Sequence, residues 1–239
     1  MGPREQGGTF GRTQLEEDCN IDYRAIREEV ALFARKMLCD GLVTLTAGNI
    51  SVRIPGEDLV AITPSTRPYE TMTAEEITIV DLAGRVVFGE YQPSTETPMH
   101  AVILRKRPLV RAVVHTHSPH ALAFAVTHQP IPLIRLEGVV TRATSILCAE
   151  YAVPSTEELG YKALAALDKQ PGSRAVLLAN HGVLAIGACL REAYGVAVKV
   201  EAQALVYPLA LAVGAPIKLT VEQLQEIYDN YVAKLPAVS

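Results

Sequence analysis

The sequence has no CxxC pair, no block of basic residues and no uninterrupted apolar run of membrane-spanning length. Each absence removes a class of function. The four cysteines, Cys19, Cys39, Cys148 and Cys189, stand far apart. No export signal accompanies them, so they read as reduced thiols in a cytoplasm rather than a disulfide framework. The 22 basic and 26 acidic residues are dispersed and leave a formal charge of −4. That charge pattern argues against nucleic-acid and membrane-surface partners. The most apolar stretch, 203–216, is interrupted by Gln203, Pro208 and Gly214, short of the roughly 18 apolar residues a bilayer span needs. The opening MGPREQGGTFGRTQLEED is polar and glycine-rich, without the apolar centre of a signal peptide. Residues 1–19 therefore read as a flexible lead-in, and 20–239 as one domain with a sizeable core.

What is present mixes helices and strands. Tyr23, Ile26, Val30, Phe33 and Met37 recur in steps of three and four, predicting a helix over 21–40. Asn20 or Asp22 can cap its start, and Gly41 stops it. TLTAGNISVR (44–53) reads as strand, turn, strand. Further strands are expected at 58–62, 76–81, 86–88, 111–115, 175–179 and 183–187, with one or two more in 131–149. Pro98 and Pro119 suit first helical turns. Ser155 with Glu158, and Thr220 with Gln223, have capping-box spacing before helices to about Lys169 and over 221–234. A long helix covers 190–213, kinked or ended near Pro208. Strict strand–helix alternation is missing, which points to an α/β or α+β domain rather than a Rossmann repeat.

The chemistry concentrates in VVHTHSPH (113–120), which holds three of the six histidines. Residues two apart on a strand share a face, so His115 and His117 point the same way if the strand persists that far. Two imidazoles can then meet one cation at about 2.0–2.1 Å. ANHGVL (179–184) places His181 just after an apolar strand, where a scaffold holds a ligand and a loop leaves it accessible. HTHSPH also resembles the HxHxDH run of metallo-β-lactamase-type hydrolases, but Pro119 stands at the aspartate position and offers no ligand.

Five segments in series carry a more specific likeness: TAGNISVR (46–53), ITPSTRPYE (62–70), PSTETPMH (93–100), VVHTHSPH (113–120) and ANHGVLA (179–185). In this order and spacing the chain resembles the class II aldolase/adducin family over about residues 21–235. The resemblance implies a three-layer α/β/α fold with a largely antiparallel central sheet. It implies a homotetramer with active sites at subunit interfaces. It also implies a catalytic zinc ion, one per subunit, held by His115, His117 and His181 with an open coordination position. Glu96 matches the family's catalytic acid/base. Thr46, Asn49, Ser65, Thr66, Ser94 and Thr95 occupy its phosphate-contact segments, where hydroxyls, amides and backbone N–H groups cradle an anion without a lysine. His120 and His100 read as packing or supporting residues.

The implied reaction is cleavage of a ketose 1-phosphate, L-fuculose 1-phosphate or a related deoxy- or methylthio-pentulose phosphate. It gives dihydroxyacetone phosphate and an aldehyde through an enediolate that zinc stabilises as a Lewis acid. The sequence departs from the family at several points. Thr66 stands where glycine is frequent, and Arg67 beside it can add a charge-assisted contact to an anion. The family's aldehyde-side tyrosine falls near Leu136, between Arg135 and Glu137. Its C-terminal tyrosine is matched by Tyr231 or Tyr228, of which Tyr231 is the candidate proton donor. Two other readings use the same likeness: a decarboxylase or dehydratase of a sugar phosphate on the same zinc site, and a non-catalytic adducin-head-like domain.

Overall fold

The structure is a computed structural model that describes the backbone of residues 14–232 and the side chains of 23–138 and 141–230. The first helix, α1, runs Gln14–Cys39. It starts ahead of the expected residue 21, so Asn20 and Asp22 lie inside it rather than capping it. Residues 1–13 of the expected lead-in lie outside the described residues. Gly41, at φ +70, stops the helix, and its N–H donates to Leu38 O at 3.0 Å. A left-handed glycine at a helix end is the cheapest way to satisfy the last carbonyls.

Four strands follow: β1 (Asn49–Arg53), β2 (Leu59–Ile62), β3 (Thr78–Asp81) and β4 (Val86–Phe88). Residues 44–48 are not the expected strand. Ala47 N–H closes a turn onto Thr44 O, and Leu45 and Gly48 take positive φ. Then come α2 (Thr97–Lys106), β5 (Ala112–Thr116), α3 (Pro119–Thr127), β6 (Ile131–Pro132), β7 (Ser145–Ile146) and β8 (Cys148–Ala149). Residues 136–141 form a 3₁₀ turn. The chain closes with α4 (Glu157–Asp168), β9 (Ala175–Leu178), β10 (Gly182–Gly187), α5 (Leu190–Val213) and α6 (Val221–Ile227). The α4 cap is Thr156, whose hydroxyl accepts from Leu159 N–H. Ser155, the expected cap, sits at φ +65 instead. Helix α5 runs through Pro208 without ending. Beyond α6, Tyr228–Val232 winds as a wider helical turn.

Eight strands form one sheet in the order β4-β3-β2-β1-β5-β10-β9-β8, antiparallel throughout except for β8 with β9. Alternate side chains divide between its faces, as the pleat requires. Ile50, Val52, Ala112, Val114, Val183 and Ala185 pack with α1, α3 and α5. Val60, Ile62, Val113, Leu184 and Ile186 pack with α2 and α4. The result is the expected three-layer α/β/α arrangement. Helix α5 is long and apolar enough by composition to cross a bilayer. Its first half is core, with Leu190, Ala193, Val196, Ala197 and Val200 buried.

Candidate metal centre

Strand β5 ends at Thr116, yet His115 within it and His117 just beyond it turn toward one point. His115 Nε2 and His117 Nε2 are 3.0 Å apart. The ring of His181 lies 4.7 Å from His115 and 5.0 Å from His117, centroid to centroid. Ligand atoms of all three lie within 4.8 Å of one another. The structure therefore brings together the three residues expected to hold a metal.

Neighbouring residues set that convergence. His115 Nδ1–H donates to Val183 O at 2.8 Å, which leaves Nε2 facing inward. A fixed outer hydrogen bond of this kind orients a ligand and selects its tautomer. His181 follows β9 in a tight turn, with Asn180 at φ +57. Asn180 accepts from His128 Nε2–H at 2.6 Å, and its own N–H donates to Ala125 O. Gly182 comes next, and a Cβ there would lie 2.3 Å from Thr116 O and 3.2 Å from atoms of both His115 and His117. The sequence reading did not single out Asn180 or Gly182. The usable signal was the Asn-His-Gly run itself, since asparagine tolerates left-handed backbone and glycine tolerates close approach.

Glu96 completes the cluster from the start of α2. The residue is 6% exposed. Oε2 lies 3.0 Å from His115 Nε2, and Oε1 lies 3.3 Å from His181 Nε2. Ser94 holds the backbone by accepting Glu96 N–H on Oγ, and Ser94 O accepts from Thr97 Oγ1. Asn49 Nδ2–H donates to Glu96 Oε2 at 3.2 Å. Burial raises the Glu96 carboxyl, but the facing His115 and His181 rings and the Asn49 N–H outweigh it, holding Glu96 well below the usual carboxylate range. Burial, with His115 beside them, lowers His117 and His181 to about 4. The Glu96 carboxylate and the rings of His115, His117 and His181 thus meet in one small space. Glu96 Oε1 is buried without a hydrogen-bond donor. Three ring nitrogens and a carboxylate oxygen that converge in this way fit a divalent cation with nitrogen and oxygen ligands.

The expected anion-binding residues lie in loops that the fold draws together. Pro64 and Pro93 form an antiparallel bridge. Ser65 N–H donates to Gln92 O, and Ser94 N–H to Thr63 O. Tyr69 O–H donates to Gly48 O, joining the 44–48 turn to the same group. Thr46, Thr66 and Thr95 are exposed there, Ser65 is half-buried and Ser94 is buried. Thr66 sits at φ +56. Arg67 is engaged: its Nε–H donates to Glu76 Oε1 at 2.6 Å and its guanidinium lies over Tyr91. Asn49 is buried with its carboxamide committed to Glu96 and His100, so it serves the site through Glu96 rather than as a free amide.

Other expected residues fall elsewhere. The backbone of Tyr231 is helical, and its side chain lies outside the described residues. Tyr228 is bound by Arg142, whose guanidinium both donates to its hydroxyl and stacks on its ring. Leu136 is half-exposed on the 3₁₀ turn. His120 pairs with Glu201 at 2.6 Å. Glu201 also accepts the His120 and Ala121 N–H groups, capping α3 from α5.

A fold of this topology with three histidines and a glutamate at one point defines an α/β/α protein with a candidate metal centre. A model of the class II aldolase and adducin N-terminal domain matches residues 28–207, and the chain belongs to that family. It is 35% identical over 205 residues to a 5-deoxy-D-ribulose 1-phosphate aldolase of Bacillus thuringiensis serovar kurstaki, covering 86% of this chain and 94% of that protein. It is also 35% identical to a 5-methylthioribulose-1-phosphate/5-deoxyribulose-1-phosphate aldolase of Rhodospirillum rubrum, covering 87% and 91%. A solved L-fuculose 1-phosphate aldolase superposes with a TM-score of 0.81 at 33% identity, covering 87% of this chain and 96% of that one.

Proposed function

We propose that the chain is a zinc-dependent aldolase that cleaves a ketose 1-phosphate to dihydroxyacetone phosphate and an aldehyde. L-fuculose 1-phosphate and the 5-deoxy- and 5-methylthio-pentulose 1-phosphates are the candidate substrates, by likeness to relatives with those names. One observation carries the reading. Glu96, buried and ionised, reaches His115 and His181 at 3.0 and 3.3 Å, so a proton-transfer group stands directly beside the ligand set.

Zinc held by His115, His117 and His181 would supply a Lewis acid that favours negative charge on substrate oxygens. The residues do the rest. In the addition direction Glu96 removes a proton from C3 of dihydroxyacetone phosphate, a task suited to its ionised state. The resulting enediolate attacks the aldehyde carbon and forms the C3–C4 bond. The aldehyde oxygen becomes the C4 hydroxyl by taking a proton, for which Tyr231 is the candidate donor. Cleavage is the reverse: the C4 hydroxyl gives its proton back to the deprotonated donor, C3–C4 breaks, its electron pair enters the enediolate, and Glu96 returns the proton to C3. The hydroxyls and N–H groups of Thr46, Ser65, Thr66, Ser94 and Thr95 hold the phosphate, with Asn49 at the seam beside Glu96.

Residues 20–239 act as one domain in this reading, in the cytoplasm, as a homotetramer with sites between subunits. Exposed Leu209, Leu211, Val213 and Ile217 at the end of α5 and just beyond supply apolar surface for subunit contact. A non-catalytic adducin-head-like role gives no reason to bury a carboxylate against three imidazoles. The test is to incubate the zinc-loaded protein with each phosphate and assay dihydroxyacetone phosphate. Release from at least one is expected. Loss of carbon dioxide or water without a three-carbon product would select the decarboxylase or dehydratase reading.

A further inference from the structure

Behind Glu96 stands a buried histidine that the ligand set and the acid/base role leave unassigned. His100 lies on α2 and is 1% exposed. Its Nδ1 is 2.7 Å from Ser51 Oγ, and its Nε2 is 2.6 Å from Asn49 Oδ1. Asn49 and Ser51 are two apart on β1, so they share a face of the sheet and flank one imidazole. His100 is four residues beyond Glu96, on the same side of the helix. Asn49 in turn pairs with His115 across β1 and β5. The three residues behind Glu96 therefore sit on α2, which Glu96 begins, and on β1, which pairs with the strand that carries His115.

The chemistry fixes every donor in this chain. The Glu96 carboxylate only accepts, so the group that Asn49 turns toward it is the NH₂. Asn49 Oδ1 then faces His100, and an amide oxygen only accepts. His100 must carry its proton on Nε2. Its Nδ1 is left as a lone pair, and the Ser51 hydroxyl donates to it. For a neutral ring the run reads Ser51 O–H to His100, His100 N–H to Asn49, Asn49 N–H to Glu96, in one direction. Burial lowers the His100 ring to about 3, which keeps it neutral and the direction intact.

We propose that His100, backed by Ser51, is a positioning residue for the aldol reaction: it orients and polarises the Asn49 amide that aims Glu96 Oε2 at the C3 proton. A carboxylate that turned freely would have several orientations beside the histidines. A donor fixed from behind leaves one. A histidine that only filled space would be as well served by an apolar side chain. The kinetic part rests on the aldolase reading above; the hydrogen-bond direction does not.

The test uses the full chain in wild-type, His100→Leu, His100→Gln and Ser51→Ala forms. Two readouts are taken: kcat, KM and zinc content of the loaded protein, and the His100 tautomer by ¹⁵N-histidine NMR on the metal-free and loaded protein. Expected is the Nε2–H tautomer in both states. His100→Leu should lower kcat about 10- to 100-fold, the usual range for a partner of this kind. KM should stay within about two-fold and zinc content should match wild type. His100→Gln, whose amide N–H can reach Asn49, should recover most of kcat. Ser51→Ala should cost about 3- to 10-fold, in line with one hydrogen bond. Because it removes a single oxygen, it carries the kinetic test if His100→Leu does not fold. An Nδ1–H tautomer overturns the proposal. So does an equal loss in the Gln and Leu variants, a wild-type kcat in Ser51→Ala, or zinc lost in step with kcat. If the wild-type protein cleaves no ketose phosphate, the aldolase reading fails and the tautomer still decides the direction of the chain.

Discussion

In the proposed site His117 and Glu96 divide the labour, and substitution separates them. His117→Ala removes one of the three proposed nitrogen ligands, so metal content and turnover are expected to fall together. Elemental analysis alongside the cleavage assay reads both. Glu96→Gln keeps the size and the Asn49 contact but cannot take a proton. It is expected to retain metal and lose about 10²- to 10⁴-fold in kcat, the usual worth of general acid–base catalysis. A near-native rate would remove Glu96 from its role. Gly182 tests the geometry from another side. A methyl group there meets Thr116 O at 2.3 Å and the rings of His115 and His117 at 3.2 Å. Gly182→Ala should destabilise by about 1–3 kcal/mol, as overpacking does, and weaken metal retention. Denaturant unfolding and metal titration check the two effects. His115 and His117 were legible from their spacing of two at a strand end, although β5 stops at Thr116, and His181 from its place after an apolar strand. Glu96 was legible only through the family likeness: flanked by threonines, it has the local signature of a solvated residue, and its burial comes from strands far away in sequence.

At the scale of elements, the strongest periodic signals held and the boundaries moved for local reasons. Thr156 rather than Ser155 caps α4, because Ser155 takes a left-handed turn that a cap cannot adopt. Thr156→Ala should therefore cost about 1 kcal/mol in urea unfolding. Ser155→Ala should stay within about 0.5 kcal/mol, as surface changes do. Equal effects would return the cap to Ser155. The stretch 44–48 looked strand-like from its Thr and Leu residues, but Gly48 governs it. A Cβ on Gly48 would lie 2.6 Å from His115 O, so the turn lets the chain pass close over β5 just before Asn49. Helix α5 passes through Pro208 where a stop was an open alternative. Its first half is anchored in the core, and Glu201 and Gln203 reach out of it to α3 and to residues 134–135.

For the whole molecule, strand order was beyond the reach of local pattern. β5, β9 and β10 are buried on both faces, so they read as continuous apolar runs without the alternation that marks one face. The pairings of β1 with β5 and of β5 with β10 bring together segments far apart in the chain. The three-layer arrangement was expected from the five motifs, not from periodicity. Burying so many histidines also gives the molecule an acid limit. Burial lowers His100 to about 3, and His117 and His181 to about 4, against about 6.5 for an unfolded histidine. Between those values the unfolded chain binds more protons than the fold, so stability rises with pH. The contribution is whole above about pH 6.5 and shrinks as pH falls toward 4. The urea midpoint of metal-stripped protein should drop between pH 7 and pH 5. A midpoint unchanged over that range would mean these rings are not buried as neutral groups.

The most direct measurement is release of dihydroxyacetone phosphate from L-fuculose 1-phosphate and from 5-deoxy-D-ribulose 1-phosphate, run on metal-stripped protein before and after zinc is restored. Release from at least one of them, abolished by stripping and regained at one zinc per subunit, is the expected result. Zinc bound at that stoichiometry with no three-carbon product from either phosphate would contradict it.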